Sequence, residues 1–223
     1  MSNKTKQFAV IGIGKFGYYL ASYLYQKGNE VVAIDKVPER IQEIKDEVSQ
    51  AVVADAADKK AIETLGLNEL DAVVICTASQ LSESILIALN LHDLGVEKLY
   101  AKAISEAHLR ILHKIGVSEV FFPERDTAVT LAERLHYPNI LDYLPFTEGY
   151  SIIHMVPPDQ FIGKSLRELN LINRFGVQVV AVKEIIPDRV HMIPKADFVL
   201  KDSDIMILLG ANESLEKLQR FST

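Results

Sequence analysis

Residues 8–24, FAVIGIGKFGYYLASYL, leave few options for folding. An apolar run without alternation reads as a strand buried on both faces. Glycines at 12, 14 and 17 then satisfy G-x-G-x-x-G, the spacing that turns a strand into a helix around a nucleotide phosphate. Gly12 permits the tight bend, Gly14 lets backbone approach a phosphate, and Gly17 lets the helix lie close to the strand. The helix start offers free N–H groups and a positive dipole end to the anion. Asp35 closes the second strand, eighteen residues past Gly17. Its carboxylate can accept both ribose hydroxyls and would repel a 2′-phosphate, which favours an adenosine-type nucleotide over NADP despite the neighbouring Lys36. The plainer alternative is a packing turn followed by an exposed acid. Lys15, inside the turn, is either a solvated lysine or a cation aimed at a terminal phosphate that backbone amides cannot neutralise.

The same strand–helix alternation continues for some 135 residues. QFAVIGI (7–13), EVVAIDK (30–36), AVVAD (51–55), DAVVICTA (71–78), KLYAKA (98–103) and EVFFP (119–123) read as six strands. Amphipathic stretches such as QLSESILIALNLHDLG (80–95) and SEAHLRILHKIG (105–116) lie between them. The pattern predicts an α/β fold, a Rossmann-like doubly wound parallel sheet. Gly28, Gly66, Gly95 and Gly116 fall where helices should end. A helix from about Glu124 to His136 stops at Pro138, and Pro145 with Thr147–Gly149 marks a boundary. The division expected is therefore residues 1–136 and 137–223. The second part has strands near YSIIHMVP, VQVVAVKEI and SDIMILLG and short helices at KSLRELNL and ANESLEKLQRF, a small α+β module.

A formal charge of −6 argues against general nucleic-acid binding. The one cysteine, Cys76, excludes an intrachain disulfide and sits in an apolar run as a small hydrophobe. No segment approaches the roughly eighteen continuous apolar residues of a spanning helix, and the N-terminus has no signal-peptide core, so a soluble cytoplasmic protein is expected. Catalytic constellations are thin. Tyr23 and Lys27 have Y-x-x-x-K spacing but lie in the first helix, far from where a nicotinamide would sit. His108 and His113 are five apart and do not share a helical face. His92, His136, His154 and His191 are scattered, and there is no G-x-S-x-G, H-E-x-x-H or Walker lysine motif.

In order and spacing, FAVIGIGKFG, EVVAIDK, VVADA, VICTAS, YAKA, HKIGVSEVFFPERD, GKSLRELNL and DSDIMILLG resemble the cytoplasmic regulators of Ktr/Trk-type bacterial potassium uptake (KtrA/TrkA-like) nearly end to end. These pair an RCK (KTN) N-terminal domain with an RCK C-terminal domain used for ligand binding and dimerisation. The resemblance implies dimers built into a ring, commonly octameric, under a separate membrane potassium channel or transporter subunit. Such a ring is peripheral to the inner face of the cell membrane, and ATP against ADP, or NAD(H), changes its shape.

Carried over by position, the resemblance puts the phosphates on Gly12, Gly14, Lys15, Phe16 and Gly17, and the ribose on Asp35, Lys36 and Val37. Asp55 and Ala56 would flank the adenine. Thr77, Ala78 and Ser79 would line the site, with Lys102, Ala103 and Ile104 after the fifth strand and His108 nearby. At Lys15 the family commonly has an arginine that reaches the γ-phosphate across a subunit interface; lysine keeps the charge without the bidentate fork. Glu124 matches a glutamate that helps bind a divalent or sodium cation near the nucleotide, or it is simply an acid favourable to a helix N-terminus. Relatives from some bacteria bind cyclic di-AMP between two C-terminal modules. Leu166, Leu171, Ile172, Arg174, Gln178, His191 and Pro194 are the matching candidates, and an apolar dimer surface is the alternative. Two other functions fit the residues: a small NAD-dependent dehydrogenase recruiting Asp55, His108 or Glu124, and a ligand-binding subunit of another partner such as an antiporter.

Overall fold

In a computed structural model, which describes residues 5–77, 80–136 and 139–221, the six apolar runs form six parallel strands. The elements are β1 (Gln7–Ile11), α1 (Lys15–Gln26), β2 (Glu30–Asp35), α2 (Pro38–Ile44), β3 (Gln50–Val53), α3 (Lys59–Glu63), β4 (Ala72–Ile75), α4 (Leu81–Asp93), β5 (Leu99–Lys102), α5 (Glu106–Ile115), β6 (Glu119–Phe121) and α6 (Pro123–His136). The sheet order is β3-β2-β1-β4-β5-β6, and every adjacent pair is parallel. Strand order reverses between β1 and β4, which opens a crevice at their carboxyl ends.

Alternate residues of each strand feed separate apolar clusters. Ala9, Ile11, Ile34, Val73 and Ile75 pack with Ile62 of α3, Ile87 and Leu91 of α4 and Leu112 of α5. Val10, Val31, Ala33, Val74 and Cys76 pack with Ala21 of α1 and Ile41 and Ile44 of α2. Both faces are therefore covered, and this is why the strand sequences show no polar alternation. Gly116 closes α5 in the left-handed conformation (φ 101), its N–H donating to the carbonyl of His113.

The second sheet is antiparallel throughout, in the order β10-β9-β11-β8-β7. It contains β7 (Ile140–Thr147), β8 (Tyr150–Met155), α7 (Leu166–Leu169), α8 (Leu171–Phe175), β9 (Val177–Glu184), β10 (Arg189–Met192), β11 (Asp204–Ala211) and α9 (Asn212–Phe221). Buried and half-buried residues alternate along all of β11. Its inward side chains Met206 and Leu208 join Ile153, Met155, Phe161, Val179, Leu215 and Leu218 in one core.

Two of these strands, β7 and β10, do not register in the sequence pattern. Both are edges of the sheet. An edge tolerates the missing N–H of Pro145, and the register shifts between Pro145 and Thr147. The strand β10 has only four residues, mostly exposed.

Contacts divide the chain into compact units Met1–Glu124 and Arg125–Thr223. The division thus falls where α6 begins, whereas the sequence signals lie at its end. A physical reason is that α6 buries none of its side chains, so its first residue is as natural a boundary as its last.

One polar group in the second unit is held with unusual force. Glu184 is 7% exposed on β9. Its Oε1 accepts from Lys201 Nζ at 2.5 Å and its Oε2 lies 2.6 Å from His191 Nε2. Lys201, then His191, hold its carboxyl down at about 2 against an ordinary 4.5. A depressed carboxyl stabilises the fold in full above its unfolded pKa and loses that contribution as pH falls through the folded one. Urea unfolding of the full chain at stepped pH is expected to lose stability between about 4.5 and 2. Glu184→Gln should flatten that slope and lower stability at pH 7; parallel slopes in the two proteins would refute the assignment.

Candidate functional site

At the carboxyl ends of β1, β2 and β4 lies a cavity of about 430 Å³, within the 300–1,000 Å³ usual for small-molecule sites. The glycine turn forms its floor, and each glycine is needed for a different reason. Gly12 has φ 93, and a Cβ there would stand 2.6 Å from the Thr77 nitrogen. A Cβ on Gly17 would stand 2.0 Å from the Gly12 carbonyl oxygen, so only glycine lets α1 pack this close. Gly14 lines the cavity, and a Cβ there would meet nothing within 4 Å; the space beside it is open to a ligand.

Gly14 is also the N-cap of α1, with no capping side chain and no acid in the first turn. By contrast α5 begins with Ser105 accepting from the His108 amide and Glu106 following it. The first amides of α1, with their dipole, are thus left for an anion.

Asp35 is 5% exposed and is engaged more heavily than its spacing suggests. Its Oδ2 accepts from the Ile13 amide at 2.7 Å and from Arg40 at 3.2 Å, and its Oδ1 from the Val37 amide at 2.9 Å. The carboxylate therefore ties the glycine turn to the end of β2. A carboxylate has about four acceptor positions, so roughly one remains for a ribose hydroxyl rather than the two expected.

The other charges around the cavity are mostly paired. Lys36 donates to Glu83 Oε1 at 2.7 Å, which raises the Lys36 pKa. Lys102, 8% exposed, pairs with Glu124 and lies 5.7 Å from the Phe16 ring centre. That hydrogen bond holds the Glu124 carboxyl below the usual range. Lys15 is exposed and makes no ion pair among the described residues. Burial pushes the Cys76 thiol up to about 12, so it stays protonated and unreactive.

Gly12, Gly14, Lys15, Phe16, Asp35, Lys36, Asp55, Ala56, Thr77, Lys102 and Glu124 line this one cavity. Gly17 sits behind the turn, while Val37 caps α2 and donates to Asp35. Ala103 and Ile104 follow β5 without lining the cavity, and Ala78 and Ser79 lie outside the described residues. His108 is fully buried on α5, outside the cavity lining, with neither ring nitrogen hydrogen-bonded among the described residues and its pKa lowered by burial. Tyr23 does not line the cavity either; it is 58% exposed with Lys27 Nζ over its ring at 5.0 Å. Sequence reasoning missed Arg40 and Glu83. Arg40 is legible in hindsight as a base one helical turn into α2, whereas Glu83 has no local signal, because its partner Lys36 is forty-seven residues away.

In the second unit, Leu166, Leu171, Ile172, Gln178 and Pro194 line a cavity of about 290 Å³ together with Arg167 and Asn170. Arg174 is turned to the rings of Phe175 and Phe221, and His191 to Glu184. Among the described residues no helix is long and apolar enough to cross a membrane, and no group of three or more His, Cys, Asp or Glu side chains is placed to hold a metal ion.

The TrkA-N domain family matches residues 8–123 and the TrkA-C domain family residues 151–223. The chain is 33% identical over 215 residues to the Ktr system potassium uptake protein C of Bacillus subtilis (strain 168), covering 96% of each. It is 31% identical over 215 residues to the Ktr system potassium uptake protein A of Vibrio alginolyticus, covering 96% of this chain and 97% of that one. Among solved structures, the GsuK channel bound to NAD aligns with a TM-score of 0.56 and 22% identity, over all of this chain and 39% of that one. That likeness is one of fold.

The glycine geometry separates two roles that one motif combines. Gly17→Ala should cost about 3 kcal/mol or more through backbone overlap. Gly14→Ala should leave stability within about 1 kcal/mol while weakening binding of an adenine nucleotide roughly tenfold. Thermal melts and equilibrium titration of both variants check this; equal effects of the two on stability would be the wrong outcome.

Proposed function

The chain belongs to the family that joins a TrkA-N domain to a TrkA-C domain, and from that premise we propose that it is a nucleotide-sensing regulatory subunit of a potassium uptake system. The observation that carries the reading is the cavity floor, where Gly14 and the uncapped start of α1 face open space beside Lys15, which has no ion-pair partner among the described residues. The named relatives act in potassium uptake, which supports a Ktr/Trk-type membrane channel or transporter as partner. The subunit would then be cytoplasmic and held at the inner face of the membrane by that partner. It would assemble into dimers and an octameric ring; apolar side chains left exposed, among them Leu131 and Leu135 of α6 at 50% and 75%, support self-association as such. In the first unit, an apolar groove lined by Phe8, Leu20, Leu24, Tyr100 and Phe121 is likewise left open.

The ligand is ATP or ADP, with NAD(H) as the other candidate, which the NAD of the fold neighbour supports. Binding without turnover is favoured by the side chains themselves. Asp35, Lys36, Arg40, Glu83, Lys102 and Glu124 are engaged with one another or with backbone amides, and the Cys76 thiol is not ionised. Among the described residues there, no nucleophile is paired with a base, as covalent hydrolysis would need. The remaining parts of the proposal are finer. Glu124, whose side chain is 61% exposed, would share a divalent or sodium cation with the phosphates once Lys102 releases it. The cavity of about 290 Å³ in the second unit would take cyclic di-AMP with a second copy of the chain.

Regulation requires that the ligands stabilise different conformations by different amounts. Lys15 supplies the difference, because a γ-phosphate adds charge that only a nearby cation offsets. In an equilibrium titration with ATP, ADP and NADH, ATP and ADP are expected to bind at micromolar levels. Lys15→Ala should weaken ATP about three- to tenfold more than ADP. Binding of NADH alone, with Lys15→Ala silent, would overturn the ATP reading and reopen the dehydrogenase.

A further inference from the structure

We propose that Lys102 is a phosphate-binding cation masked by Glu124, so that this carboxylate competes with the nucleotide from within the chain. This rests on the nucleotide reading above. Both residues line the cavity. Lys102 closes β5, and Glu124 is the second residue of α6. The Lys102 ammonium also lies 5.7 Å from the ring centre of Phe16, which stands in the first turn of α1. The cation therefore borders the helix start whose amides are left for an anion.

Exposure singles this pair out among the described lining residues. In the pairs Lys36 with Glu83 and Arg40 with Asp35 the cation is half exposed and the carboxylate is buried. A phosphate taking either cation would strand a buried carboxylate, which is strongly destabilising. Lys102 and Glu124 reverse that order, with side chains 10% and 61% exposed. A phosphate that takes this cation frees the carboxylate into water, which solvates it. The buried ammonium needs an anion in either state, and here the anion can be exchanged at little cost. The carboxylate of Glu124 thus holds the place of a phosphate oxygen. A di- or triphosphate carries more charge than one carboxylate and is seated by the α1 amides, so it displaces Glu124.

The test is equilibrium titration of the full chain with ADP and with adenosine, in potassium buffer with potassium EDTA and no sodium, with thermal melts alongside. The wild type is compared with Glu124→Gln, Lys102→Met and the double variant. Glu124→Gln should tighten ADP about three- to tenfold and adenosine less than about twofold, because only ADP reaches the unmasked ammonium. With Lys102→Met already in place, the same change should gain ADP less than about twofold. A gain that persists or grows there would assign the effect to repulsion between Glu124 and the phosphates, and overturns the masking. So does an absent gain in the single variant, or an equal gain for adenosine. Should Lys102→Met not fold, Glu124→Asp decides, since it keeps the charge with one methylene less reach. Release of Lys102 then tightens ADP, whereas an unchanged affinity overturns the masking. ADP binding without these gains leaves the nucleotide reading standing; binding of neither ADP nor adenosine removes both.

Discussion

Free amides at a helix start serve a ligand only if the helix lies close enough to the sheet for them to face the crevice at the strand ends. Here Gly17 sets that distance. Its missing Cβ is what allows the backbone of α1 to approach the Gly12 carbonyl, and Gly12 in turn lies against the Thr77 backbone at the end of β4. Turn, first helix and fourth strand are thereby locked into one rigid corner. The Asp35 carboxylate adds the second strand to it through the Ile13 amide. Under the proposed reading, a phosphate arriving at this corner would meet donors that need no reorganisation, which is the condition for backbone to compete with water for an anion.

The same rigidity shapes the electrostatics. Three of the four cations that line the cavity have anionic partners: Lys36 with Glu83, Arg40 with Asp35, and Lys102 with Glu124. Such pairs hold the walls in register and leave little net field inside. Among the described lining residues Lys15 is the exception, at the mouth of the turn. On the proposed reading, such a site would hold the common part of a nucleotide through backbone and leave the exposed Lys15 for the part that differs between ligands.

What was legible in the sequence follows from the range of each interaction. The six parallel strands show because burial on both faces leaves unbroken apolar runs, and the three glycines show because backbone geometry is a local property. Asp35 was legible as an acid in the right place, but not as a joint already holding two amides and Arg40, since those partners depend on how β2 meets the turn. The edge strands β7 and β10 were hidden because an edge can carry Pro145 or an exposed four-residue pairing that looks like loop. Glu83 was invisible for the strongest reason, that its significance exists only when α4 and the end of β2 are folded against one cavity.

In the proposed reading the cation at position 15 is an ammonium and not a guanidinium, which bears on how such a device discriminates. A guanidinium fixes two phosphate oxygens in a plane, so its contribution depends on geometry, whereas an ammonium on a flexible stem responds chiefly to total charge. A sensor built on Lys15 should therefore distinguish ATP from ADP by charge count, and that discrimination should weaken with ionic strength because the side chain is exposed. The buried members of the pairs, Asp35, Glu83 and Lys102, are screened less. Recognition of the nucleoside would then persist at salt concentrations that erode recognition of the terminal phosphate, and occupancy and switching become separable properties of one site.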